Sequence, residues 1–249
     1  MSDNKDRFSD KVDNYVKFRP TYPKEAIDKL ICKTNITPQS VVVDVGSGTG
    51  KFTKLLLLRE PLVYAVEPNQ NMREAAECEL SHYKNFHSVN GSAEDTTITD
   101  KSADIITAAQ AFHWFDRDKC KQEWKRILKP NGKTALIWNK RNKSGSEFIV
   151  KYEEAIKKFG KISSFAHDKI TEKFFDEFFC SYETFHFKWS QRFDFDGLWG
   201  RAQSSSYSPS PDQPNHALLK TALLDIFKNH QTDGHIDFEY DTELIIGEI

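Results

Sequence analysis

Val41-Val42-Val43-Asp44-Val45-Gly46-Ser47-Gly48-Thr49-Gly50 decides the fold. Its first half is a β-branched run with one polar residue, which suits a strand buried on both faces of a parallel sheet. Its second half places glycine at alternate positions, so the backbone can turn tightly and approach a ligand closely. Phe52, Leu55, Leu56 and Leu57 follow at once as the apolar side of a helix.

The same rhythm continues downstream. Leu62–Val66 reads as a second strand and Asn69–Leu80 as a helix opening on the capping residue Asn69. Phe86–Val89 is a weak third strand, Ala103–Ala109 a fourth, and Asp118–Leu128 a helix. Thr134–Trp138 is a fifth strand after the Pro130-Asn131-Gly132 turn. Strand and helix taking turns in this way imply βαβ units and a parallel sheet. Upstream, Phe8, Val12, Tyr15 and Val16 lie at helical spacing. A second helix over about 23–33 starts at Pro23 and carries Ala26, Ile27, Leu30 and Ile31 on one face.

After about residue 143 the alternation stops. Phe148, Tyr152, Ala155, Ile156 and Phe159 mark an amphipathic helix that Gly160 can end, and Phe174, Phe175, Phe178 and Phe179 mark another. Thr184–Phe193 alternates like a strand. Helical pieces flank a Ser/Pro-rich loop within 195–230, and 235–249 is strand-like.

The chain has 249 residues, with 35 Lys+Arg against 37 Asp+Glu. A near-neutral balance argues against a protein built to coat nucleic acid. Leu55–Leu58 is the longest wholly apolar run, far too short to span a bilayer, and the polar start leads to no signal-like apolar core. A cytoplasmic protein without membrane attachment is the expectation. Cys32, Cys78, Cys120 and Cys180 show no CxxC or CxxH pairing, so neither a metal site nor a disulfide framework is expected. The sequence does not set the oligomeric state.

Two features separate the glycine turn from a nicotinamide fingerprint. The spacing is GxGxG and not GxGxxG, and Asp44 stands just before the turn, where its charge opposes a diphosphate but suits a ligand with an ammonium group. Val66-Glu67-Pro68 closes the second strand, about one β-helix-β unit beyond Asp44. There a carboxylate can accept hydrogen bonds from both hydroxyls of a ribose. Gly91-Ser92-Ala93-Glu94-Asp95 puts a small-residue turn and carboxylates at the same sheet edge, where a purine can be gripped by its exocyclic amine.

These motifs resemble the core of the class I S-adenosylmethionine-dependent methyltransferases, in the small-molecule (methyltransferase type 11) group. The resemblance rests on DVGSGTG, AVEPNQNM, GSAED, AAQAFHWF and ILKPNGKTALIW within 41–139. Tyr15-Val-Lys-Phe-Arg19-Pro20-Thr-Tyr22-Pro23, with His113-Trp114-Phe115-Asp116, resembles the branch that includes trans-aconitate methyltransferase-like proteins. It implies a doubly wound, Rossmann-like α/β fold: seven strands, mostly parallel, the last antiparallel, with helices on both faces. One domain would span 1–249, with a cofactor-binding core over 36–142 and helical cap segments over 143–181 and 195–234.

The resemblance also implies roles. Gly46, Gly48 and Gly50 would cradle the methionine portion of S-adenosylmethionine, with Asp44 supporting the loop or the ammonium group indirectly. Glu67 would hold the ribose, Pro68 and Met72 would pack on the adenine, and Ala93 and Glu94 would lie at its edge. Gln110 would face the ammonium group, and Tyr15 and Arg19 would close over the cofactor, with Arg19 able to pair with its carboxylate.

A sulfonium methyl is already electrophilic, so in-line positioning without water is the main requirement. A carboxylate acceptor needs no base, whereas a phenol or amine can use one, and His113 is the candidate. Trp114, Trp138, Arg141, Trp199, Arg201 and Tyr207 are candidate acceptor-lining residues, the two arginines suiting an anion. Gln110-Ala-Phe-His-Trp replaces the Asn/Asp-Pro-Pro-aromatic motif that seats a flipped base, so a small molecule and not nucleic acid is the expected partner. A non-catalytic S-adenosylmethionine-binding protein would show the same binding residues, so the sequence leaves that alternative open.

Overall fold

A computed structural model describes residues 18–142, 145–160, 172–205 and 207–249. Its strands are β1 (Val41–Val45), β2 (Leu62–Val66), β3 (Phe86–Val89), β4 (Ala103–Ala109), β5 (Leu128–Arg141), β6 (Ser181–Phe193) and β7 (Ile236–Glu248). They form one sheet in the order β3-β2-β1-β4-β5-β7-β6. Pairing is parallel from β3 across to β5, while β7 runs antiparallel to both β5 and β6. The strand order reverses between β1 and β4, and ligands of open α/β sheets bind outside the carboxyl ends at such a point.

The helices are α1 (Lys24–Thr34), α2 (Lys51–Leu57), α3 (Gln70–Leu80), α4 (Arg117–Ile127), α5 (Glu147–Phe159), α6 (Glu172–Phe178), α7 (Phe195–Gln203) and α8 (Asn215–His230). Alternate strand residues point to opposite faces and split the core in two. Val42, Val63, Ile105 and Ile137 meet Ala26, Leu30, Phe52 and Leu56 of α1 and α2 on one face. Val43, Ile106, Leu136 and Trp138 meet Trp124 of α4 and Phe174, Phe175 and Phe178 of α6 on the other. A third cluster joins α5, α7 and α8 to Phe238 and Tyr240 of β7. Among the described residues, no helix is long and apolar enough to cross a membrane.

Several boundaries differ from the sequence expectations. The fifth strand takes in Pro130-Asn131-Gly132, because the chain stays extended there through a register shift and one left-handed residue, Asn131 at φ 67°. The sixth strand starts at Ser181, since β7 pairs with it along its whole length. The phenylalanines of α6 pack into the core of the sheet, with Phe178 edge-on to both Phe112 and Trp124. The helix expected near residues 8–16, and with it Tyr15, lies outside the described residues.

Candidate functional site

Asp44 is the penultimate residue of β1, just before the turn, and it is fully buried. Thr53 of α2 donates its hydroxyl to Oδ2 at 2.6 Å, and Thr107 of β4 donates to Oδ1 at 2.8 Å. Burial pushes the carboxyl up to about 6, against the pull of the two hydroxyls. Both oxygens are therefore engaged inside the protein. Asp44 thereby ties the glycine turn to β4 and α2.

The turn itself is left-handed at Gly46, Gly48 and Gly50, with φ of 67°, 57° and 79°. The three glycines differ in what surrounds them. A Cβ on Gly46 would lie 2.7 Å from Ala111 Cβ, and one on Gly50 would lie 2.5 Å from Leu80 Cδ1. Both are packing positions. At Gly48 the sole neighbour of such a Cβ within 4 Å among the described residues is Met72 Sδ at 3.6 Å, so this peptide is open on the described side. Thr49 is buried beside it, and its Oγ1 has no hydrogen-bond partner among the described residues.

Glu67 joins this turn to the end of β2. Its Oε2 accepts from the Gly48 amide and its Oε1 from the Asn69 amide, both at 2.9 Å. Burial pushes its pKa up, and the two amides pull it back. Each carboxylate oxygen keeps a lone pair able to accept a ribose hydroxyl. Asn69 caps α3 by accepting from the Met72 amide at 3.0 Å, which fixes buried Met72 behind Gly48. Pro68 is half-buried. Arg73 donates to the carbonyls of Glu67 and Pro68 at 2.9 and 3.3 Å, holding the strand end in place. The open peptide at Gly48, the unpartnered Thr49 hydroxyl and the Glu67 acceptors together fit an adenosyl ligand with an amino-acid tail.

The next strand ends complete the rim. Ala93 is buried, and Glu94 Oε1 accepts from the Asp116 amide at 2.9 Å, so that carboxylate is anchored to the start of α4. Gln110, directly after β4, holds φ 59° while its amide donates to the Ile137 carbonyl at 2.9 Å. A left-handed residue with a long side chain stores about 1–3 kcal/mol, and such strain persists where the surrounding structure enforces it. His113 and Trp114 lie in the 3-10 turn Phe112–Trp114, both half-buried, with their rings 4.8 Å apart.

The acceptor candidates separate into two groups. Trp138 is fully buried against Phe112 and Phe175, because its position on β5 faces α6. Trp199 packs edge-on to His216 under the Lys220 ammonium, on the α8 side of its helix. Both tryptophans pack on neighbouring aromatic rings, Trp138 fully buried and Trp199 half-buried. Arg141, Arg201 and Tyr207 do converge. Arg141 pairs with Glu153 of α5 and donates to the Tyr207 hydroxyl. Arg201 donates to Tyr240 Oη and Ser205 Oγ, both at 2.9 Å.

Arg19 links the two halves. Its Nη2 donates to the Ser204 carbonyl at 3.1 Å, while its own carbonyl accepts from Lys51 Nζ at 3.0 Å beside the glycine turn.

Sequence reasoning missed Thr53, Thr107, Tyr152, Glu153 and Tyr240. Thr107 had a usable signal, a hydroxyl inside a strand buried on both faces. Tyr152 and Tyr240 had none, since each reads as one more core aromatic.

Residues 43–136 match the family model described as a methyltransferase domain. A Schizosaccharomyces pombe protein described as methyltransferase-like and uncharacterized is 34% identical over 54% of this chain and 52% of its own length. An uncharacterized methyltransferase of Mycobacterium tuberculosis is 36% identical over 54% of this chain and 53% of its own. The chain thus spans about half the length of the curated relatives it matches. Among solved structures, a candidate type II methyltransferase from Anaeromyxobacter dehalogenans shares the fold with a TM-score of 0.69, at 20% identity, over 93% of this chain and 98% of that one. A candidate S-adenosyl-L-methionine-dependent methyltransferase from Methanococcus maripaludis is 27% identical, with a TM-score of 0.55, over 74% of this chain and 91% of that one.

Proposed function

Given a class I S-adenosylmethionine-dependent methyltransferase core in residues 43–136, we propose that the chain transfers a methyl group to a small-molecule acceptor, a carboxylate or a phenol. The observation that carries this reading is the closed pair of Glu67 and the Gly48 amide at the switch point of the sheet. It sets ribose acceptors and an open glycine peptide side by side. When bound, S-adenosylmethionine supplies an electrophilic methyl carbon on a sulfonium. Glu67 holds the ribose, Met72 and Pro68 flank the adenine, and Gly48 with Thr49 faces the methionine tail. The Gln110 carbonyl meets the ammonium group from the opposite rim.

The protein's catalytic contribution is alignment and exclusion of water. His113 takes the proton when the acceptor is a phenol and is idle when it is a carboxylate. Two measurements test this: titration of S-adenosylhomocysteine into the full chain, and a screen of small carboxylates and phenols with labelled S-adenosylmethionine. Saturable binding with label transfer supports the reading. Absence of S-adenosylhomocysteine binding overturns it. Replacing His113 with Gln then sorts the acceptor class, since it lowers kcat and flattens its pH profile for a phenol alone.

A further inference from the structure

Arg201 is 3% exposed, yet its partners among the described residues are two neutral hydroxyls, Tyr240 and Ser205. The nearby carboxylate, Glu153, is held by Arg141. Tyr152, fully buried on the adjoining helix, points into the same corner a hydroxyl with no hydrogen-bond partner among the described residues. Its phenol feels the charges of Tyr207, Arg201, Arg141 and Glu153. Arg141 lies 6.0 Å from the Tyr152 ring and 5.1 Å from that of Tyr207, and Arg201 lies 5.9 Å from that of Tyr240.

Burying a guanidinium without a counter-charge is costly, and so is burying a hydroxyl without a partner. Here both occur at one place. Arg141 and Arg201 draw the Tyr207 phenol below its usual range, although burial alone would push it up.

The location relative to the cofactor edge matters equally. Ile137 accepts the Gln110 amide, and Arg141 lies four residues further along β5. At a rise of about 3.3 Å per residue the Arg141 backbone is about 13 Å along β5 from Ile137, so the corner lies beyond the same carboxyl edge of the sheet as the rim. Arg19 spans the gap, with one end on Lys51 and the other on Ser204.

We infer that this corner is an anion seat for the acceptor: Arg201 and Tyr152 bind a carboxylate of a small organic acid, while a second oxygen of the same molecule reaches the rim at Gln110 and His113. This deepens, and rests on, the methyl-transfer reading. The seat selects by charge, and the carboxylate in it is an anchor and not the methylated group.

The test uses the full chain and a panel of small hydroxy acids and dicarboxylic acids, each beside its primary amide or monoamide. Titrations are run with and without S-adenosylhomocysteine, and label transfer from S-adenosylmethionine is followed in parallel. At least one acid should bind about 10- to 150-fold more tightly than its amide, the range for hydrogen bonds to a charged group. Arg201→Gln should remove that preference while S-adenosylhomocysteine affinity changes by less than about twofold, and Arg201→Lys should restore part of it. Tyr152→Phe deletes a hydroxyl that no described residue uses. It should keep the fold and still weaken acid binding, which covers a failure of the arginine variants to fold. Acids and amides binding alike, or an acid preference that survives both Arg201→Gln and Tyr152→Phe, overturns the seat. Loss of S-adenosylhomocysteine binding in the wild-type chain overturns the methyl-transfer reading instead, and the acid titrations without it still judge the seat.

Discussion

Two buried charged regions face each other across the carboxyl edge of the sheet, and they are satisfied differently. At the glycine turn, both carboxylates are met by short-range neutral donors: Asp44 by two threonine hydroxyls, and Glu67 by two backbone amides. In the cap, the described partners of Arg141 include Glu153 and Tyr207, and the described side-chain hydrogen-bond partners of Arg201 are hydroxyls. The first region is closed by its own chain and fixes a shape. The second, among the described residues, sets two guanidiniums against one carboxylate, and the proposed anion seat rests on that difference.

The largest expected effect tests that asymmetry through Glu153. Glu153→Gln removes the carboxylate from Arg141 inside a protein interior, and breaking such a pair costs about 3–5 kcal/mol because the remaining charge is uncompensated. Urea unfolding at unchanged slope measures it. A loss below about 1 kcal/mol would mean the cap is not limited by charge at all, and the contrast between the two regions would collapse.

On the other side, Asp44 gives a pH signature. Its carboxyl is raised to about 6 in the folded protein, so the folded state binds more protons than the unfolded chain between the two pKa values. Stability from this group is complete at low pH and declines as pH rises from about 4 to about 6, by about 3 kcal/mol, then stays level. Asp44→Asn keeps a partner for each threonine and carries no charge. The difference in unfolding free energy between wild type and Asp44→Asn should therefore fall across that window and be flat above it. A flat difference throughout would show that the hydroxyls fully offset burial.

Glu67 sharpens the comparison at the ligand level. Glu67→Ala should weaken S-adenosylhomocysteine binding by about 1–3 kcal/mol, and it also strands the buried Gly48 and Asn69 amides, so the unfolding midpoint falls as well. Glu67→Gln retains an acceptor oxygen and should separate the two losses. Calorimetric affinity unchanged in Glu67→Ala would remove this residue from the ribose site.

How much of this was legible from sequence follows the same division. The glycine turn, Glu67 and Asn69 sit within 24 residues of chain, and each is declared by a strand end, a glycine or a cap. The fold was legible for the same reason, since helix and strand periods are local. The cap is assembled over long separations: Arg141 meets Tyr207 from 66 residues away, and Arg201 meets Tyr240 from 39. Nothing local marks Tyr152 as different from Phe148, because the difference is made by the guanidiniums that tertiary folding brings. The burial of Trp138 was hidden for the same reason, since its partner Phe175 of α6 lies far along the chain.

The smallest effects come from two helix caps, one in each region. Asn69 caps α3 through the Met72 amide, and Asp194 caps α7 through the Gly197 amide at 2.8 Å. Either residue changed to Ala should cost about 1 kcal/mol of stability, the ordinary worth of such a cap. Their functional consequences should part. Asn69→Ala loosens Met72 behind Gly48 and should weaken S-adenosylhomocysteine binding, with the acid-over-amide preference intact. Asp194→Ala loosens the helix that carries Arg201 and should reduce that preference, with S-adenosylhomocysteine affinity intact. Parallel titrations on the two variants measure both quantities. If each variant shifted both ligands equally, cofactor edge and cap would be one mechanical unit, and Arg19 with its bonds to Ser204 and Lys51 would be the element that couples them.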